Sequence, residues 1–209
     1  MRLVRTATAV ATGAALVFAG SAGAVVKKPL PCNLITDPKG DADIDGNGTG
    51  NDSALDLTSV DLGADKKTMT IVMRVDKAAT KSSVYPAGSI KFQTYFTIAG
   101  AQYFVSVISD STVGGYFGTT GTGSNKILTY PPATIDPAAN EVRISVPVAD
   151  FPTPYKVGDA VTAITASTSF GVVRNSTGAT FSSGGFGADS ATAEVTYKVG
   201  DVTCVKVGM

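Results

Sequence analysis

The sequence predicts an all-β fold: a single-domain, two-sheet antiparallel β-sandwich following a signal peptide. Three observations carry this expectation. Several stretches alternate apolar and polar residues with period two, the mark of a strand with one face inside. Glycine-, proline- and asparagine-rich turn chemistry separates them. No stretch beyond the leader shows the 3.6-residue apolar period of an amphipathic helix.

The elements follow in chain order. "MRLVR" is a basic leader, "TATAVATGAALVFAGSAGA" an apolar run and Ala22-Gly23-Ala24 a small-x-small cleavage site, so residues 1–24 read as a secretory signal. A membrane anchor would need about 20 strongly apolar residues, whereas this run is mostly Ala, Gly and Thr and Lys27-Lys28 follow it directly. Residues 25–31 form a short leader and 32–207 the domain. Cys32 and Cys204 stand near opposite ends of the mature chain, and in an oxidising compartment they are expected to pair, fastening the first and last strands side by side.

"ALDLTSVDL" keeps Leu55 and Leu57 in phase and then shifts to Val60 and Leu62, which predicts a bulge near Thr58 and Ser59. "KKTMTIVMRV" places Met69, Ile71, Met73 and Val75 on one face. "SIKFQTYFTI", "QYFVSVI", "EVRISVPV" and "TAEVTYKV" repeat the pattern, and "AVTAITAST" does so more weakly. "GADKK" and "IAGAQ" are short enough to be hairpin connections. "VGGY", "TGTGSN", "YPPATIDPAAN" and "SSGGFGADS" read as loops. Pro147, which cannot donate to a ladder, implies an edge strand or a strand end.

Composition narrows the function. Arg2 and Arg5 leave with the leader, so a chain of 17 basic and 17 acidic residues takes a net charge of −2. That is not the clustered basic surface of a nucleic-acid binder. Histidine is absent, which removes Ser-His-Asp and Cys-His catalysis and the usual His-bearing zinc centre. The acids outside one loop are scattered: Asp110, Asp136, Glu141, Asp150, Asp159, Asp189 and Glu194. Carboxylate-only catalysis needs two acids together in a cleft, so the expectation is a protein that is not an enzyme, with no catalytic residues.

The exceptional stretch is "DPKGDADIDGNGTGND", with five aspartates between Asp37 and Asp52 on a glycine-softened backbone. Asp41, Asp43, Asp45, Gly46 and Asn47, with Asp52 at the twelfth place, follow the D-x-D-x-D-G spacing of a calcium loop. Alternate residues send oxygens to one side, and calcium takes six to eight of them. The expected structural Ca2+ shell is Asp41, Asp43, Asp45, Asn47 and Asp52, with Asp37 and Asp56 in reserve. Asp189 sits late in the chain but can return to the same end of a sandwich. Flanking strands rather than helices argue against an EF-hand. The alternative is a solvated loop held by Asx-turns.

"DPKGDA", "ALDLTSVDLGADKKTMTIVMRV", "NEVRISVPVADF", "YKVGDAVT" and "DSATAEVTYKVG" resemble secreted bacterial β-sandwiches of the DOMON-like and family 9 carbohydrate-binding kind. An early D-P-x-G-D turn and an L-D-[IL] element carry the likeness. The resemblance implies a jelly-roll-like sandwich in which calcium is commonly structural. The sugar binders of that kind clamp their ligand between tryptophans, and this chain has none. Tyr85, Tyr95, Tyr103, Tyr116 and Tyr130 are the rings left for such work, with no pair identifiable. Haem-binding members would use His or Met, and here Met69 and Met73 fall on the inner face. Two functions remain: a secreted, calcium-stabilised binding module for envelope or extracellular polysaccharide, or a structural or adhesive cell-envelope protein making protein contacts. Neither requires nucleic acid or a membrane span in the mature chain.

Overall fold

The computed structural model describes residues 32–44, 50–81, 89–109, 113–121, 124–174, 181–182 and 186–208. Residues 1–24, read above as a signal, the segment 25–31, Asp45, Asn47, Tyr85 and Asp110 lie outside them.

The chain alternates between two antiparallel sheets. β1 (Ile35–Thr36), β2 (Leu57–Ala64) and β3 (Thr68–Val75) begin the first; β4 (Ser89–Ile98), β5 (Ala101–Ser109), β6 (Val113–Thr120) and β7 (Asn125–Thr129) begin the second. β8 (Ala133–Asp136) and β9 (Glu141–Pro147) return to the first, and β10 (Ala160–Arg174), β11 (Phe181–Ser182), β12 (Phe186–Thr192) and β13 (Tyr197–Lys198) complete the second. The first sheet runs β1-β2-β3-β9-β8. The second runs β11-β10-β4-β5-β6-β7, with β12 and β13 also paired to β10. Among the described residues no helix is long and apolar enough to cross a membrane.

The alternation read in the sequence is the cause of this packing. Met69, Ile71, Met73 and Val75 of β3 face Ile90, Phe92, Phe96 and Ile98 of β4 across one apolar core that includes residues from both sheets. Tyr103, Phe117 and Phe151 meet inside it, with ring centroids 5.5 Å apart for Tyr103–Phe117 and 4.6 Å for Phe117–Phe151. The expected bulge is present: the β2–β3 register shifts between Leu57 and Ser59. Both expected hairpins form, β2–β3 and β4–β5. Pro147 closes β9 opposite Thr68, so it marks a strand end inside the sheet order rather than an edge strand.

Three segments read as loops contain strands, while "TGTGSN" is the connection it was read as, between β6 and β7. β6 carries "VGGY", β8 lies in "YPPATIDPAAN", and β12 occupies "FGADS". Conversely, "TAEVTYKV" yields only the two-residue β13, and Val195 is 53% exposed.

Cys32 and Cys204 are disulfide-bonded, their Cα atoms 5.5 Å apart. The bridge spans 172 residues of sequence, worth roughly 5 kcal/mol at most by the chain-entropy estimate. It does not join first and last strands as expected. Cys204 lies beyond β13, in a tail bound to the first sheet by Thr203 Oγ1 donating to the Leu62 carbonyl (3.1 Å) and the Gly208 amide donating to Thr70 Oγ1 (3.0 Å).

Candidate functional site

Three separate parts of the chain bring carboxylates to one end of the sandwich. The first is the turn after β1. The Asp37 amide donates to the Thr58 carbonyl at 3.0 Å, anchoring the turn to β2. Gly40 has φ +90°, a left-handed conformation in which a side chain is strained. That conformation accompanies an amide donated to Asp56 Oδ2 at 2.7 Å.

The second part is the corner before β2. Asp52 caps it: its Oδ1 accepts from the Ala54 amide at 3.0 Å, and its carbonyl accepts from the Leu55 and Asp56 amides at 2.8 and 3.1 Å. This tight corner delivers Asp56, only 1% exposed, against the Asp37–Asp41 turn. Asp56 Oδ2 also accepts from Asn51 Nδ2 at 3.3 Å, while Asp56 Oδ1 is buried with no hydrogen-bond partner.

The third part is β12. Its register with β10 slips between Thr168 and Ser169, where Asp189 and Gly187 are the paired residues and Ala188 is the extra one. A bulge re-aims side chains. Ala188 joins the core, and its neighbour Asp189 reaches the first sheet, where Oδ2 accepts from the Leu57 amide at 2.7 Å.

Carboxylate oxygens of Asp37, Asp41 and Asp189 consequently all lie within 4.8 Å of one another. Burial pushes the Asp189 carboxyl up to about 7, with the Asp37 and Asp41 charges adding to the rise and the Leu57 amide opposing it. Burial likewise raises Asp37, as do the charges of Asp41 and Asp56, while its hydrogen bond with Asp189 works the other way. Asp37 Oδ2 is a second buried oxygen without a partner. The lysine of the same turn does not neutralise the group, because Lys39 Nζ pairs with Asp76 Oδ1 at 2.6 Å. Among the described residues no lysine or arginine forms an ion pair with Asp37, Asp41 or Asp189.

The donors are all oxygen, which suits a hard divalent cation. Calcium bonds oxygen at about 2.3–2.6 Å, so oxygens around one ion lie no more than about 5 Å apart, and the separation here meets that limit. The residues fit such an ion. The set differs in emphasis from the one suggested by spacing. Asp37, Asp41 and Asp189 gather, Asp56 stands behind them, and Asp43 is outside the group. Asp52 holds the corner that places Asp56. The D-P-x-G-D and L-D-L elements contribute Asp37, Asp41 and Asp56. Asp189 has no local sequence signal, since its position depends on the β12 bulge.

The tyrosines divide between core and periphery. Tyr103 is buried among the core aromatics, and Tyr155 and Tyr197 are buried as well. Tyr95, paired with Phe104, and Tyr116, paired with Ser106, belong to the sheet face opposite Tyr103. Tyr130 is 63% exposed and meets Tyr116 edge-on at 5.5 Å. An open depression of about 310 Å³ is lined by Asn33, Leu34, Thr36, Thr192, Glu194 and Val195, with Glu194 its one acid. No protein-family model, curated protein or solved structure matches this chain.

Proposed function

We propose that the chain is an exported, non-catalytic β-sandwich module that binds one calcium ion at its acidic end and offers an aromatic surface to an extracellular polysaccharide. The observation that carries the reading is the convergence of Asp37, Asp41, Asp189 and Asp56 from separate segments, with buried Asp37 Oδ2 and Asp56 Oδ1 lacking partners. A buried carboxylate without compensation costs several kcal/mol. A cation supplies that compensation. Calcium suits the donors better than zinc, because they are all carboxylates, the chain has no histidine and both cysteines are in the disulfide.

Export is supported by the basic, apolar and Ala-Gly-Ala parts of residues 1–24 and by the disulfide, which oxidising compartments favour. The non-catalytic reading rests on the acids. The nearest group is packed into a turn against β2 and β12, and the described depression adds only Glu194. Hydrolysis of a glycoside requires two acids flanking a substrate-sized cleft.

The polysaccharide reading leans on Tyr130, exposed and backed by Tyr116, because tyrosine gives a sugar a flat apolar face with a polar tip. Among the described residues, the exposed large apolar side chains other than Tyr130 are Val113, Val157, Val195 and Val202, separated along the sequence and unremarkable when solitary. A glycan array probed with the mature protein in calcium tests the reading. Retention of a polysaccharide by the native chain, lost in Tyr130→Ala, is the expected result. Silence across the array together with self-association in light scattering would favour a structural or adhesive envelope protein.

A further inference from the structure

We infer that the cation acts as a clamp between the two sheets: held jointly by the Asp37–Asp41 turn of the first sheet and Asp189 of the second, it controls how firmly β12 is fastened. This rests on the cation reading above and adds what binding does to the fold.

The topology gives the clamp its two jaws. Asp37 directly follows β1, and its amide is fixed to Thr58 of β2, so Asp37 and Asp41 travel with the five-stranded sheet. Asp189 belongs to β12, which among the described residues is ladder-paired to β10 alone. The β12 bulge turns Asp189 away from its own ladder and across to the other sheet. The Leu57 amide bond to Asp189 Oδ2 is one neutral donor set against the negative charge of Asp37 and Asp41.

Asp56 provides independent support for a ligand. It is 1% exposed, its Oδ2 is bound to the Gly40 amide inside the Asp37–Asp41 turn, and its Oδ1 is buried without a partner. A carboxylate held in that way behind three others points to a positive charge among them. Like charges drive the jaws apart when they are ionised and unbound, whereas an ion draws them together. Where the acids are ionised, β12 is therefore held firmly with the cation and loosely without it.

The test is amide exchange over residues 186–192 in the mature, disulfide-intact protein, with calcium chloride as the probe. Calcium should slow exchange of β12 amides about tenfold or more relative to chelated protein, because protection tracks the free energy of local opening. Asp189→Asn keeps an oxygen for the Leu57 amide but removes the charge, so it should retain the fold and lose the slowing. Asp41→Asn, at an exposed position, should lose it too, which keeps the test decisive if the Asp189 variant folds poorly. Calcium binding by calorimetry with unchanged β12 exchange would overturn the clamp and leave the cation reading intact. Wild-type affinity in Asp189→Asn would do the same. No calcium binding by the native chain would overturn both.

Discussion

Two groups of acids in this molecule are handled in opposite ways. On the first sheet, Asp61 and Glu141 enclose Arg74. Arg74 Nη1 bonds Asp61 Oδ2, Arg74 Nη2 lies 2.9 Å from Glu141 Oε1, and Arg143 Nη2 lies 3.3 Å from Glu141 Oε2. Burial works against the Arg74 charge, but hydrogen bonds and charge from Asp61 and Glu141 outweigh it and hold its pKa above the ordinary value. Asp61 also accepts from the Asn33 amide. At the acidic end, Asp37, Asp41 and Asp189 converge with no basic partner among the described residues. The first group is neutralised by its own side chains. The second has no such internal compensation, so on the proposed reading its stability depends on calcium while that of the first does not.

That contrast can be broken most forcefully at Asp61. Asp61→Ala leaves a guanidinium 29% exposed with one acid fewer, and it should cost about 2–3 kcal/mol in urea unfolding, below the full buried-pair value because Arg74 is partly solvated. The loss should be the same in calcium and in chelator.

A smaller effect, but one of reversed sign, is expected at Asp37. Asp37→Asn removes one of several like charges. In chelator it should raise stability by about 1 kcal/mol, and in calcium it should lower it, because a ligand is lost. Destabilisation of equal size in both buffers would mean that Asp37 is an ordinary structural acid.

The subtlest expected effect is on pH dependence. Asp189 is raised to about 7 from an ordinary 3.8, so the folded chain holds a proton that the unfolded chain has released between those values. Its contribution to stability is fully present below the unfolded value and is lost as pH rises through about 7. Chelated protein should therefore melt lower at pH 8 than at pH 5, by a margin that shrinks in Asp189→Asn. Calcium should oppose the trend, since it needs the carboxylates ionised.

The strands with alternating apolar residues were legible because one face of each enters the core between the sheets, most plainly in β4, whose outward residues Lys91, Tyr95 and Thr97 are only partly buried. β6 was hidden by its glycines. A Cβ at Gly115 would sit 2.2 Å from the Pro131 carbonyl, and one at Gly118 would sit 2.2 Å from that of Lys126. Close backbone approach demands glycine there, and glycine erases the alternation. "TAEVTYKV" misled in the other direction. β12 ends at Thr192 and pairing resumes only at Tyr197, because the partner strand β10 is irregular between Thr162 and Thr165, where Ala163 takes φ 49°.

The candidate site divides along the same line. Asp37, Asp41 and Asp56 lie close in sequence, Asp41 inside the D-x-D-x-D-G spacing and Asp37 and Asp56 just outside it. Asp189 is 132 residues from the amide it meets, and only the fold brings it there. The D-x-D-x-D-G spacing put Asp43 and Asp52 ahead of Asp37 and Asp56, whereas the carboxylates that gather are those of Asp37, Asp41 and Asp189. A linear motif cannot show that Asp52 is committed to the Ala54 amide.

The most direct measurement is a calcium titration of chelated, mature protein, followed by calorimetry and thermal melting. Binding at a single site should raise the melting temperature, with about 2.7 kcal/mol of stabilisation once calcium reaches a hundred times its dissociation constant. No heat of binding and an unchanged melting temperature at millimolar calcium would contradict the account.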